Sequence, residues 1–250
     1  MSYPVSTLCE RGNIRANNED AISFGFHVPL AAQWMVVADG MGGHLAGEVA
    51  SKLLVEHVQA QMSKLQALPE EGWQVWLKQQ LSQANEIIYN QAQNDQALQG
   101  MGTTGVLVVL VNMTCHIAWV GDSRAYLMRQ QQLQQLTEDH TMIQFLLNKG
   151  AISAKEAQKA NNKNLLSKAF GSKASIEVDY SQIPLAGDDV VMLSSDGLHD
   201  FLTNAELLTY LDNFRANPTQ GSAICQQMYL HALEAKSKDN ITLGLIAVEE

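Results

Sequence analysis

Positive charge is in short supply. Sixteen Lys and Arg stand against 26 Asp and Glu, a formal net charge of −10, and no basic run appears anywhere in the 250 residues. Such a chain approaches a phosphate backbone or an anionic membrane against its own field, so neither nucleic acid nor membrane is expected as a partner. Cysteine is scarce too. Cys9, Cys115 and Cys225 lie far apart with no C-x-x-C spacing. That excludes a disulfide framework and reads as three small apolar core residues in a reducing compartment. Long apolar runs are missing: the longest, residues 106–111, falls far short of the ~20 residues of a membrane helix. The opening MSYPVSTLCERGN has no basic region followed by an apolar stretch, so no signal peptide is read there and a cytoplasmic location is expected. There is no internal repeat, no low-complexity linker and no break in composition. With 46% hydrophobic and 17% charged residues, a single domain over residues 1–250 with a sizeable core is the economical reading.

Apolar patterning predicts short strands at residues 5–9, 21–26, 34–38, 105–111, 115–120, 176–183, 190–194 and 241–248, and a hairpin from 125–129 and 132–136. Helical spacing marks residues 45–62, where Val49, Leu53, Val58 and Met62 recur, and residues 70–93, where Trp73 and Trp76 join an apolar side opposite a Gln- and Asn-rich solvent face. Further helices are expected over 140–150, 203–211 and 218–235, with Ser153 and Glu156 spaced as a capping box. Strands that follow one another directly argue for antiparallel pairing, not for a βαβ array.

The run 34–38 drives into Asp39-Gly40 and reads as a buried strand that stops at a carboxylate. The device recurs. IAWVGD (117–122) and VMLSSDG (191–197) end in an aspartate, and the strands after NNED (17–20) and KDN (238–240) depart from one. Antiparallel pairing can bring Asp20, Asp39, Asp122, Asp196 and Asp239 to one sheet edge. Taken singly, each Asp-Gly is a common turn dipeptide. Five carboxylates together repel and need a counter-charge. An all-oxygen set selects a hard divalent ion, Mg²⁺ or Mn²⁺, and the glycine at position 40 lets its carbonyl approach a metal closely. Two such ions ~3.5–4 Å apart can activate a bridging water and clamp an in-line displacement at phosphorus. Arg15 is the natural cation for the phosphate oxygens, with a surface salt bridge to Glu19 or Asp20 as the plainer alternative. His44 is a candidate general acid, or equally a helix-start residue that orients a loop or the substrate.

The motifs RANNED (15–20), VADGMGGHLAGEVAS (37–51), GTT (102–104), WVGDSRAY (119–126), TEDHT (137–141), SSDGLHD (194–200) and KDNIT (238–242), in this order, resemble the bacterial branch of the PPM (type 2C) metal-dependent protein phosphatases. The resemblance covers essentially the whole chain. It implies an α+β fold, a four-layer αββα sandwich of two antiparallel sheets, and hydrolysis of phosphoserine and phosphothreonine with two Mn²⁺ or Mg²⁺ ions. By position, Asp39 would bridge both ions and Gly40 would offer its carbonyl. Asp196 and Asp239 would complete the metal set, with Glu19 and Asp20 holding metal-bound waters, and Arg15 would take the phosphate. Asp122 would match the ligand of a third, weaker metal. Residues from about 140 to 174 would form a flap beside the cleft, with His140, Lys163 and Lys168 facing substrate. The implied partners are phosphoproteins and a cognate serine/threonine kinase, and the implied state is a monomer.

Two departures stand out. Position 41 is Met, where many eukaryotic members carry a histidine proposed as general acid, which leaves the proton donor open between His44 and a metal-bound water. In the flap, bacterial members often carry His-Pro followed by Arg and then Thr-Arg-Ala-x-Gly, whereas this chain has Ala160-Asn161, Lys163 and then Ser167-Lys168-Ala169-Phe170-Gly171. A catalytically inactive phosphoprotein-binding scaffold and a small-molecule phosphohydrolase are the alternatives. The first is disfavoured because no metal aspartate is missing.

Overall fold

The computed structural model describes residues 2–42, 46–159 and 165–249. Its frame is two antiparallel sheets packed face to face. One sheet has the order β1 (Val5–Glu10), β11 (Ile241–Ala247), β10 (Val190–Ser194), β7 (Arg124–Arg129), β8 (Gln132–Gln135). The other runs β2 (Asp20–His27), β3 (Ala32–Met41), β5 (Gly105–Val111), β6 (Thr114–Val120), β9 (Asp179–Pro184), and the short β4 (Gly102–Thr103) pairs with the end of β3. Every pairing is antiparallel.

Side chains alternate across a strand, and the apolar runs use both faces. In β3, Met35 and Val37 point between the sheets, where they share a core with Val106, Val108, Val191, Leu193 and Ile246. Their neighbours Trp34, Val36 and Ala38 point the other way, under α1 (Ala46–Lys64) and α2 (Trp73–Asn94). On the far side, Met192, Leu243 and Leu245 pack against α6 (Asn204–Ala216) and α7 (Gly221–Glu234). The result is the expected helix–sheet–sheet–helix sandwich. Each fully buried aliphatic side chain contributes about 1.5–3 kcal/mol to holding it.

The structure corrects several expectations. β3 does not stop at Asp39. It continues through Gly40 to Met41 because Thr103 and Gly102 of β4 pair with those two residues, and a paired partner outweighs the poor strand preference of Asp and Gly. β9 begins at Asp179, three residues later than read. The helix expected over 218–235 is a 3₁₀ turn, Pro218–Gln220, followed by α7. The amide-rich face of α2 is not all solvent-exposed: Gln80 and Asn85 are buried. Asn85 accepts the Gly171 N–H at 2.8 Å and donates to the carbonyls of Lys173 and Ala174, which ties residues 171–174 to the helix. Trp73, Trp76, Cys115 and Cys225 are buried as expected, whereas Cys9 is half-buried and its sulfur accepts hydrogen bonds from Asn18 and Thr242. Both capping boxes form, Ser153 with Glu156 and Thr203 with Glu206. Among the described residues, no helix is long and apolar enough to cross a membrane.

Candidate active site

In an antiparallel pair the C-terminal end of one strand lies beside the N-terminal end of the next, and this gathers the aspartates at one end of the sandwich. Asp20 opens β2 directly opposite Asp39 near the end of β3. Asp196 follows β10 at the start of α5 (Asp196–His199), and Asp239 just precedes β11, the strand paired with β10. Asp122 sits in the turn between β6 and β7. A cavity of about 600 Å³ is lined by Arg15, Glu19, Asp39, Gly40, Asp122, Asp196 and Asp239, together with Met41, Gly42, Thr104, Leu165, Leu166 and Asn240. Asp20 is buried behind Asp39.

The electrostatics are those of crowded, enclosed acids. Asp39 is held well above the usual carboxylate range, first by loss of water and then by the charges of Asp20, Asp196, Asp122 and Asp239. Burial pushes Asp20 up to about 7, although hydrogen bonds from the Thr242 and Ser195 hydroxyls pull it down. The Ser195 bond is 2.8 Å long. Burial, then Asp196 and Asp139, raise Asp122 to about 7. Arg15 projects into this field and ion-pairs with Asp239, which raises its own pKa further.

Hydrogen bonds behind the cavity fix the acids. Thr104 exchanges two bonds with the backbone of Asp39: its N–H donates to the Asp39 carbonyl, and its hydroxyl accepts the Asp39 N–H. The same hydroxyl lies 2.6 Å from Ser123 Oγ, next to Asp122. Thr103 Oγ1 also donates to the Asp39 carbonyl. Gly40 donates its N–H to the Glu19 carbonyl and allows an unusually close crossing. A Cβ there would lie 2.2 Å from the Gly47 carbonyl oxygen of α1 and 2.5 Å from that of Glu19.

Of the expected residues, Arg15, Glu19, Asp20, Asp39, Gly40, Asp122, Asp196 and Asp239 gather at this cavity. His44 and Lys163 lie outside the described residues. His140 and Lys168 do not line the cavity. His140 is buried, its Nδ1 accepts the Gly121 N–H at 3.1 Å, its Nε2 is 3.4 Å from Asp179, and its ring stacks on Trp119. Lys168 pairs with the same Asp179 at 3.1 Å. The two residues expected to face substrate instead converge on one carboxylate and fasten the ends of the 140–168 stretch to β9. Leu165 and Leu166, which line the cavity, carried no sequence signal. Thr104, Ser123, Ser195, Thr242 and Asn240 all fell within recognised motifs, but their roles became visible only through contacts with residues distant in sequence.

The donor set suits a hard divalent cation. It is all oxygen, it is mutually repulsive, and Gly40 lines the same cavity with no side chain of its own. Among the described residues, no three His, Cys, Asp or Glu side chains form one ion's ligand set by themselves.

Comparisons with known proteins point the same way. The family model described as Protein phosphatase 2C matches residues 13–235. The chain is 35% identical over 238 residues to the serine/threonine phosphatase stp of Listeria welshimeri, covering 95% of this chain and 92% of that protein. It is 31% identical over 249 residues to the protein phosphatase PhpP of Streptococcus pneumoniae, with 98% of each covered. Among solved structures, the catalytic domain of the serine/threonine protein phosphatase PstP in complex with two manganese ions superposes with a TM-score of 0.82 at 28% identity, covering 98% of each chain.

Proposed function

The chain belongs to the protein phosphatase 2C family and is a serine/threonine protein phosphatase, and we propose that it hydrolyses phosphoserine and phosphothreonine with two divalent cations, Mn²⁺ or Mg²⁺, held in this cavity. The observation that carries the reading is the convergence of Asp20, Asp39, Asp122, Asp196 and Asp239, a crowd of acids in which the pKa values of Asp20, Asp39 and Asp122 are raised, beside the cavity-lining guanidinium of Arg15. When bound, such ions would neutralise the carboxylates, polarise the phosphoryl oxygens and lower the pKa of a bound water, which makes hydroxide available as the nucleophile at neutral pH.

The chain's own residues divide the remaining work. Asp39, under the field of four other acids, would be the shared ligand. Asp196, Asp239 and the Gly40 carbonyl would complete the set, with Glu19 and Asp20 holding metal-bound waters. Asp122 would serve a third, weaker site. Arg15 uses one N–H on Asp239, and its other donors are available in kind for a planar, bidentate grip on phosphate oxygens. As the phosphorus–oxygen bond to the serine or threonine breaks, the departing alkoxide needs a proton, and His44 remains the candidate donor on sequence grounds. Residues 140–174 would act as the substrate flap, with Lys163 the remaining candidate contact from the original three. A serine/threonine kinase is the natural counterpart of this activity. The same reading has the chain act as a monomer in the cytoplasm.

The test is release of phosphate from a phosphothreonine peptide with and without Mn²⁺, in the wild type and in Asp39→Asn. Metal-dependent release that disappears in the variant supports the reading. Equal release by both proteins overturns it. Binding of the peptide without hydrolysis would indicate a scaffold, and hydrolysis of free phosphorylated metabolites in preference to peptides would indicate a small-molecule enzyme.

A further inference from the structure

Arg15 sits on the loop between β1 and β2, residues 11–19, which contains no helix or strand. Residues 13–16 are exposed, so packing does not set their position. The neck of this loop is tied by Asn240, which is 4% exposed. Its amide nitrogen donates to the Arg11 carbonyl at 2.8 Å and to the Asn17 carbonyl at 2.9 Å, and its amide oxygen accepts the Glu19 N–H at 2.8 Å. One side chain therefore joins the entry and the exit of the loop to the start of β11. The backbone at Asn240 is itself held. Its N–H donates to Asp239 Oδ1, and its carbonyl packs so tightly on Gly197 that a Cβ there would fall 1.9 Å away.

We propose that Asn240 is the positioning residue that holds Arg15 where the substrate's phosphate arrives. The inference rests on the reading of Arg15 as the phosphate-holding group. A guanidinium at the end of a long side chain grips two phosphate oxygens only if its Cα is fixed, and a shift of about 1 Å in such a group can cost up to about 100-fold in rate. Asn240 supplies that fixity by replacing the hydrogen-bond ladder that the loop lacks. Its side-chain amide is committed to these three backbone groups, so it acts through the loop that carries Arg15. The alternative is that it only satisfies buried backbone groups, as most buried polar side chains do.

A double-mutant cycle separates the two. The Mn²⁺-loaded wild type, Asn240→Ala, Arg15→Ala and the double variant are compared by the inhibition constant of inorganic phosphate and by KM for p-nitrophenyl phosphate. Calorimetric Mn²⁺ binding and the thermal midpoint are measured alongside. Asn240→Ala is expected to weaken phosphate binding about 10-fold in the wild-type background and less than about 2-fold once Arg15 is gone. The same loss in both backgrounds overturns the proposal and assigns Asn240 to the fold or to the metal ligand beside it. If Arg15→Ala alone leaves phosphate binding unchanged, the reading of Arg15 fails and this inference fails with it, a different result from additivity. Should Asn240→Ala not fold, Asn240→Asp enters the same cycle: it keeps the acceptor for the Glu19 N–H and loses both donors.

Discussion

Asp20 and Asp39 are directly opposed residues of the β2–β3 ladder, two acids placed side by side where the protein removes most of their water. Burial, with the charges of Asp196 and Asp239 adding to it, holds Asp20 up to about 7, and burial followed by the Asp20 charge holds Asp39 well above its usual range. A pair like this weakens the fold by itself and is explained by what it would bind.

Replacing one member should therefore separate stability from activity. Asp39→Asn keeps the shape and the backbone bonds to Thr104 but removes a repelled charge. The metal-free variant is expected to melt above the metal-free wild type by about 2–4 °C, the shift that roughly 1 kcal/mol produces in a chain of this length. Its metal-dependent turnover should fall by at least about 1,000-fold. Calorimetry and a phosphopeptide assay measure the two effects, and a melting point below the wild type would show that Asp39 supports the fold.

Metal addition should stabilise the wild type through the same carboxylates. At free Mn²⁺ about 100 times its dissociation constant, linkage yields about 2.7 kcal/mol, or roughly 5–10 °C in thermal midpoint for 250 residues. Chelation should reverse the shift, and Asp39→Asn should lose most of it. A midpoint unmoved by Mn²⁺ would count against the cavity as a cation site.

The close crossing at Gly40 predicts an intolerant position. An alanine Cβ there would meet the backbone oxygens of Gly47 and Glu19 at 2.2 and 2.5 Å, and neither belongs to a flexible side chain. Forcing β3 and α1 apart is expected to cost about 1–3 kcal/mol, lowering the thermal midpoint by about 2–12 °C and shifting the Gly40 backbone that lines the cavity. A Gly40→Ala protein with wild-type melting and wild-type Mn²⁺ affinity would contradict this.

His199 gives the fold a pH dependence of predictable sign. Its ring is buried with Nδ1 2.9 Å from Ser194 Oγ, and burial followed by the Arg124 charge holds its pKa well below the ordinary value. The native ring stays neutral, while the unfolded ring gains a proton below about pH 6.5. The contribution is thus present in full above that pH and is lost as pH falls, by up to about 1.4 kcal/mol per unit. Urea midpoints at pH 7.5 and 5.5 should diverge less in His199→Gln than in the wild type. Equal divergence would show that other groups account for the slope.

The residues differ in how far sequence alone could place them. The run Trp34–Ala38 announced a buried strand because a continuous apolar run needs both of its faces covered, and the helical apolar spacing over 45–62 announced an element able to cover one of them. Antiparallel pairing allowed the aspartates of the motifs to share one sheet edge, but they come from both sheets, Asp20 and Asp39 on β2 and β3 and Asp196 and Asp239 beside β10 and β11, and only the face-to-face packing brings the two sets together. His140 and Lys168 could not be placed in this way. Both lie in a stretch where polar residues suit either solvent, a substrate or an internal ion pair, and only the approach of β9 with Asp179 decided the matter.

What the sequence by itself determined was the run of strands and helices and the family, the first from local periodicity and the second from motifs written in consecutive residues, and the layers followed as what the family resemblance implied. What tertiary structure alone decided was the second set of contacts: Asn240 reaching back to Arg11, Asn17 and Glu19, Thr104 gripping Asp39, and Asn85 holding residues 171–174. Each joins positions dozens to hundreds of residues apart through two or three hydrogen bonds. Such bonds depend on ångström-scale placement of both partners, and no pattern of neighbouring residue types encodes that placement.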